Sequence, residues 1–231
     1  MKRIIAIGGG AFSARTPRPA FDRWLLAQTG KRRPRVCFIP TACGDSAATI
    51  RRIEATIKRL GGRPTTLALF AAPTEDFVRL LSSQDLIFVG GGNTYNMLAL
   101  WRLWKLDVAV RRAYDRGVIL SGSSAGGLCW FESGLTDSFP GRFDRMVCLG
   151  WLRGSFSPHF DTEGGRQPVY RRLIRAGKLP AGYAVDDAVG LEFVDGRLAR
   201  AVSSRRSAAA LHIRRRGGRL VETELEIEHI G

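Results

Sequence analysis

The chemistry this chain could perform centres on a serine. In Gly117-Val-Ile-Leu-Ser-Gly-Ser-Ser-Ala-Gly-Gly127, the apolar run Val118–Leu120 reads as a buried strand end. Gly122-Ser-Ser124-Ala-Gly126 follows and fits G-x-S-x-G. A nucleophilic serine needs its hydroxyl held away from backbone partners, facing a base, near free N–H groups. A sharp strand-to-helix turn meets all three needs. Its glycines tolerate positive φ and close approach, and Ala125 is too small to block the mouth. Leu128-Cys-Trp-Phe131 is placed to begin the next helix, whose N-terminal N–H groups favour developing negative charge. The same string also describes an inert Gly/Ser-rich loop, so the other residues must decide.

A serine nucleophile needs a base, and the base needs an orienting carboxylate. The chain has three histidines. His229 lies next to the C-terminus, and His212 sits in the alternating stretch Ala210-Leu-His-Ile213, where it reads as a strand-face residue. His159, in Ser157-Pro-His-Phe-Asp161, falls at a loop after a strand and a proline, and is the best base. Asp186-Asp187 ends an apolar stretch and offers the carboxylate; taken alone, the pair reads as a turn. Gly90-Gly-Gly-Asn-Thr94 follows a buried run and precedes a helix, which exposes backbone N–H groups. Such groups cradle a phosphate or an oxyanion. The sequence lacks the G-x-G-x-x-G fingerprint and a Walker lysine, so the oxyanion use fits better.

The elements that must position these residues follow from periodicity. Strands are expected at Lys2–Ile7, Arg35–Ile39, Thr66–Phe70, Asp85–Val89 and Val118–Leu120. Helices are expected around Phe21–Gln28, after a loop closed by Pro17 and Pro19, and over Ile50–Leu60, capped by Asp45 or Ser46 and stopped by Gly61-Gly62. Further helices are expected after Thr74, over Tyr95–Leu103 and Val108–Tyr114, and over Gln167–Ala176. This alternation predicts an α/β fold with a doubly wound, mostly parallel sheet. Ligands then sit outside the carboxyl ends of the strands, so the three glycine-rich turns after strands one, four and five should share one crevice. From Tyr183 onward, short strands with turns at Asp195-Gly196 and Gly217-Gly218 predict C-terminal β-hairpins.

Composition sets the bounds. The 231 residues, 45% hydrophobic and 25% charged, suit a single globular domain over 1–231. No apolar stretch approaches a membrane span, and the N-terminal apolar run is too short for a signal core. Cys37, Cys43, Cys129 and Cys148 lack C-x-x-C spacing and read as reduced thiols in a cytoplasmic protein. No ligand-spaced cluster suggests a metal. The net charge of +15 comes mostly from arginines spread along the chain, with no nucleic-acid motif beside them. Solvated arginines therefore explain it better than a nucleic-acid partner.

Phe88-Val-Gly-Gly-Gly-Asn-Thr-Tyr95, Gly122-Ser-Ser-Ala-Gly126 and Pro158-His-Phe160 occur in an order and spacing that resemble the peptidase E family of aspartyl dipeptidases, relatives of cyanophycinase. The resemblance covers most of residues 2–195. It implies a fold similar to class I glutamine amidotransferases, with serine where those enzymes carry cysteine. It implies Ser124 as nucleophile and His159 as base. Asp187 falls where the dipeptidases have glutamate, with Asp186 as the fallback. Gly91, Gly92 and the Ala125 N–H would form the oxyanion hole. Arg166 falls near the arginine that reads the substrate's aspartyl carboxylate, and Asn93 is assigned to substrate binding. The implied activity is hydrolysis of small peptides, including those with N-terminal Asp, through an acyl-enzyme and without a cofactor, in a possible homodimer.

Two other readings stay open. An α/β-hydrolase esterase uses the order Ser…Asp…His, which Asp187 and His212 would satisfy. A non-catalytic module would use the glycine crevice and the basic surface to bind a ligand or polyanion.

Overall fold

Short apolar runs punctuated by glycine and proline make the central strands, and amphipathic helices cover them. The computed structural model describes residues 1–12, 19–70 and 76–231. The first half alternates β1 (Arg3–Ile7), α1 (Pro19–Ala27), β2 (Arg35–Ile39), α2 (Ala47–Arg59), β3 (Arg63–Thr66), α3 (Phe77–Ser82), β4 (Leu86–Val89), α4 (Thr94–Trp104), α5 (Leu106–Asp115), β5 (Ile119–Ser123) and α6 (Ala125–Leu128). The second half is mostly strand: β6 (Phe131–Phe139), β7 (Arg142–Val147), β8 (Leu152–Ser157), α7 (Arg166–Arg175), β9 (Gly182–Val185), β10 (Val189–Val194), β11 (Arg197–Ser203), β12 (Ala210–Arg216), β13 (Arg219–Glu224) and β14 (Ile227–His229).

The larger sheet has the order β14-β11-β10-β1-β5-β4-β2-β3. Strands β1, β5, β4, β2 and β3 are parallel, and β10 joins β1 antiparallel. This is the expected mostly parallel α/β core. Successive strand residues face opposite sides, so Ile5 and Ile7 pack with Phe21 and Leu25 of α1 and Ile53 and Ile57 of α2. Ile4 and Ala6 face the other way, toward Met97 and Trp101 of α4 and Val110 of α5. The parallel strands end on one side, and the Gly8-Gly-Gly10, Gly90-Gly-Gly92 and Ser124 turns gather there.

The predicted hairpins form, β10–β11 at Asp195-Gly196 and β12–β13 at Gly217-Gly218, but they belong to different sheets. The smaller sheet has the order β13-β12-β9-β8-β6-β7 and was not legible as a separate layer. Its Phe131 and Phe156 join the core on the α4–α5 side, while Tyr170, Leu173 and Ile174 of α7 cover its far face. Its β6–β7 hairpin, turning at Pro140-Gly141, was also missed.

Other local expectations shift. The third strand is Arg63–Thr66 rather than Thr66–Phe70. Leu67 and Leu69 are buried, but the Leu69 and Phe70 N–H groups donate to the Asp45 carboxylate instead of a ladder. That engagement also settles the α2 cap, which is Ser46, accepting from the Thr49 N–H. The fifth strand runs on to Ser123, and the helix after it is a single turn starting at Ala125, not at Leu128. Pro19 opens α1, while Pro17 and Thr74 lie outside the described residues. Asp76 caps α3 by accepting from the Arg79 N–H. Among the described residues, no helix is long and apolar enough to cross a membrane.

Candidate active site

Ser124 stands at the end of β5 with φ 57° and ψ −116°, a conformation that costs a non-glycine residue of order 1–3 kcal/mol. The turn is held from both sides. The Ser124 N–H donates to the Ile7 carbonyl at 3.0 Å, and its own carbonyl accepts from Gly127 and Leu128. The motif glycines are needed for close approach. A Cβ on Gly122 would lie 2.2 Å from the Gly126 oxygen, and one on Gly126 would lie 2.2 Å from the Val89 oxygen. With the backbone so committed, the side chain is left to the cleft.

Beside it lies the Gly90–Asn93 loop. Its outer N–H groups are used: Gly90 donates to Ile39 and Asn93 to Ala42. Among the described residues, the Gly91, Gly92 and Ala125 N–H groups make no hydrogen bond. Gly91 is the near neighbour, since a Cβ there would stand 3.6 Å from Ser124 Oγ. Gly92 has φ 137°, and a Cβ on it would strike the Ala42 carbonyl at 2.1 Å. These N–H groups can therefore serve an anion beside the serine.

His159 follows β8 in the left-handed region, φ 51°. Its Nδ1 meets Asp187 Oδ1 at 2.6 Å. An ionised carboxylate there selects the tautomer with the proton on Nδ1, which leaves Nε2 as the acceptor. Ser124 and His159 line one cleft of about 310 Å³, together with Gly10, Phe12, Arg52 and the Gly90–Gly92 loop. The three glycine-rich turns thus meet at one crevice. Ser124 and His159 are not hydrogen-bonded to each other, which is common before substrate is bound.

The structure separates the two neighbouring aspartates. Asp186 turns away from His159: its Oδ2 accepts the Ala209 N–H at 2.9 Å and lies 3.5 Å from Arg205 Nη2. Burial pushes its carboxyl above the ordinary range, against the Ala209 N–H and Arg205, with Asp161 and Asp187 adding to the rise. His212 is also elsewhere, packed on Tyr183 in the smaller sheet with ring centroids 5.0 Å apart.

Two of the expected substrate-binding residues do not line the cleft. Arg166 is 1% exposed and does not line the cleft. Its guanidinium pairs with Glu163, donates to the Leu135 carbonyl at 3.0 Å and lies over the Phe143 ring. A guanidinium so buried and partnered is poorly placed to reach a substrate carboxylate in the cleft. Asn93 is similarly engaged. Its oxygen accepts the Asn96 N–H at 2.8 Å, capping α4, and its Nδ2 donates to the Ser138 carbonyl at 3.1 Å. The Arg166 expectation rested on a count along the chain, which does not show what a side chain faces.

Other residues went unnoticed. Among the described residues, Arg52 is the one Lys or Arg lining the cleft, and its side chain makes no ion pair. In the sequence it is one arginine among many. Asp161 was visible two residues after His159, but its link to Asp187 joins distant loops: its Oδ1 accepts the Asp187 N–H at 3.0 Å.

The chain is 42% identical over 231 residues, all of both chains, to a Bacillus subtilis (strain 168) protein described as "Uncharacterized peptidase YgaJ". Its fold is similar to that of a peptidase from an acI-B1 Actinobacterium, with a TM-score of 0.75 and 17% identity over 99% of this chain and 95% of that one. The model of "Peptidase family S51" matches residues 4–201. This protein is therefore a peptidase that belongs to family S51, the peptidase E family.

Proposed function

We propose that this peptidase is a serine enzyme that hydrolyses small peptides through an acyl-enzyme, with Ser124 as nucleophile, His159 as base and Asp187 as orienting carboxylate. The observation that carries this reading is the 2.6 Å contact of His159 Nδ1 with Asp187, in a cleft shared with Ser124. His159 Nε2 takes the Ser124 proton as Oγ attacks the peptide carbonyl. The Gly91, Gly92 and Ala125 N–H groups receive the oxyanion, where one donor is typically worth ~10²–10³ in rate. His159 then protonates the leaving amine, and water releases the acyl group by the reverse sequence.

A dipeptide-sized substrate suits the dimensions of the cleft. A preference for N-terminal Asp needs a cation, and with Arg166 committed to Glu163 that role falls to Arg52. A guanidinium can grip a carboxylate bidentately. The test is hydrolysis of Asp-Leu, Ala-Leu and N-blocked Asp-Leu by wild type and Ser124→Ala. Cleavage of the free dipeptides alone, abolished by the substitution, supports a serine dipeptidase. Cleavage that survives Ser124→Ala refutes the mechanism, and equal cleavage of the blocked peptide refutes the dipeptidase preference.

A further inference from the structure

Behind the candidate base, one arginine gathers a group of carboxylates. Arg205, in the loop between β11 and β12, pairs through Nη2 with Asp161 Oδ2 and lies 3.5 Å from Asp186 Oδ2. The other Asp161 oxygen accepts the Asp187 N–H at 3.0 Å. Asp187 in turn holds His159. Arg205, Asp161, the Asp187 backbone and the His159 ring thus form one continuous chain of contacts.

Arg205 is itself tied to the turn it serves. Its N–H donates to Ser203 Oγ at 3.0 Å, and that hydroxyl donates to the Ala188 carbonyl at 2.9 Å. The Ala209 N–H, from the same loop, donates to Asp186. The Arg205 and Asp161 side chains are 28% and 20% exposed, so water screens their pairing only in part.

Two physical effects follow. First, the Asp187 side chain hangs from an amide that Asp161 fixes, so loss of the pairing loosens the carboxylate that orients His159. Second, Arg205 offsets negative charge beside the imidazole. Without it, Asp161, Asp186 and Asp187 favour the imidazolium, which cannot act as a base. We propose that Arg205, acting through Asp161, is a positioning residue that holds the His159–Asp187 pair in its working geometry and charge state. Its catalytic consequence rests on the reading of His159 as the base.

The charged groups near His159 among the described residues include Asp187 at Nδ1, Asp161 and the Arg166-paired Glu163 on its own loop, Asp186 and Arg205 behind, and Arg52 along the cleft. Changing Arg205 alone leaves the other charged residues in the sequence, so a difference measurement reads its effect through charge and geometry together.

The experiment titrates the His159 Cε1–H resonance by NMR, assigned with His159→Gln, in wild type, Arg205→Gln, Arg205→Lys and Asp161→Asn. Labelling of Ser124 by a fluorophosphonate is followed against pH in parallel. Arg205→Gln removes a cation beside the imidazole, so the His159 midpoint is expected to move upward from the wild-type one. The acidic limb of labelling should move up by the same amount, with a rate about tenfold lower at neutral pH. Arg205→Lys should return both close to wild type. Asp161→Asn removes an anion, so it should lower the midpoint while still slowing labelling. An unmoved midpoint in Arg205→Gln overturns the proposal, as does an equal loss in the Gln and Lys variants. If Arg205→Gln does not fold, Asp161→Asn labelling at the wild-type rate overturns it. A wild-type protein that is never labelled would remove the serine reading, while the NMR midpoints would still judge Arg205.

Discussion

Gly9 lies so close to Asp187 that a Cβ built on it would stand 2.0 Å from the Asp187 Oδ1 atom. The same Cβ would be 2.6 Å from His159 Cε1 and 2.8 Å from Nδ1. The turn after β1 is therefore the surface on which the His159–Asp187 pair is seated. The backbone of Gly9 lies outside the left-handed region, so alanine meets no conformational obstacle there other than the pair itself. Gly9→Ala is expected to slow fluorophosphonate labelling by about 100-fold, because misplacing a reacting group by an ångström has that scale of effect. Stability should fall by less than about 3 kcal/mol, measured by urea unfolding. A wild-type labelling rate would show that the contact does not set the geometry.

Substitutions at the three proposed catalytic positions should separate sharply from those at their neighbours. Ser124→Ala should leave no labelling. His159→Gln should remove activity, while His212→Gln, remote in the smaller sheet, should retain it. Asp187→Asn should lower kcat by about 10⁴-fold, since the amide supports the wrong tautomer. Asp186→Asn should lower it by far less, because Asp186 faces Ala209 and Arg205. Steady-state kinetics on one dipeptide would check all five variants. Loss with His212→Gln and retention with His159→Gln would restore the esterase order.

Arg52, rather than Arg166, should be the cation that acts on an N-terminal aspartate. Arg166→Met removes the partner of the part-exposed Glu163 and of the Leu135 carbonyl, which should cost of order 1–3 kcal/mol. Its effect should appear in the urea midpoint, with the Asp-Leu to Ala-Leu preference unchanged among the remaining folded molecules. Arg52→Gln should instead raise KM for Asp-Leu about tenfold or more and leave stability near wild type. A change of preference with Arg166→Met, and none with Arg52→Gln, would reverse this assignment.

The α7–β13 contact gives a pH prediction. Arg171 grips Glu222 through two hydrogen bonds of 2.7 and 2.9 Å. Those bonds hold the Glu222 carboxyl below its ordinary value, against partial desolvation. A lowered folded-state value means the stabilisation is present above the unfolded value, roughly pH 4.3, and is lost as pH falls through the folded one. Both side chains are about 30% exposed, so the pair should contribute no more than about 1 kcal/mol. A double-mutant cycle with Arg171→Gln and Glu222→Gln should show coupling at pH 7 that is lost as the Glu222 carboxyl protonates in acid. Coupling that grows on acidification would contradict the sign.

What could be read in advance was local. The runs at Arg3–Ile7, Arg35–Ile39 and Leu86–Val89 are short, apolar and bounded by breakers, so they marked the parallel core. The elbow was legible because its glycines are demanded by contacts within a few residues and by the adjacent strand. The smaller sheet was not legible, since β6, β8 and β9 mix polar and apolar residues without a clean period. Strand pairing across such distances is set by burial on both faces, which a one-dimensional pattern does not encode.

By itself, the sequence determined the order of elements, the strand-to-helix serine turn and the short set of histidines and carboxylates from which a base pair had to come. Tertiary structure alone decided that Asp187 rather than Asp186 meets His159, that Gly9 supports them, and that Arg166 is spent on Glu163 while Arg52 lines the cleft. The reason is physical. Backbone conformation answers to neighbours within a turn or a strand, whereas a side chain's partner is chosen by packing that brings remote loops within hydrogen-bond distance.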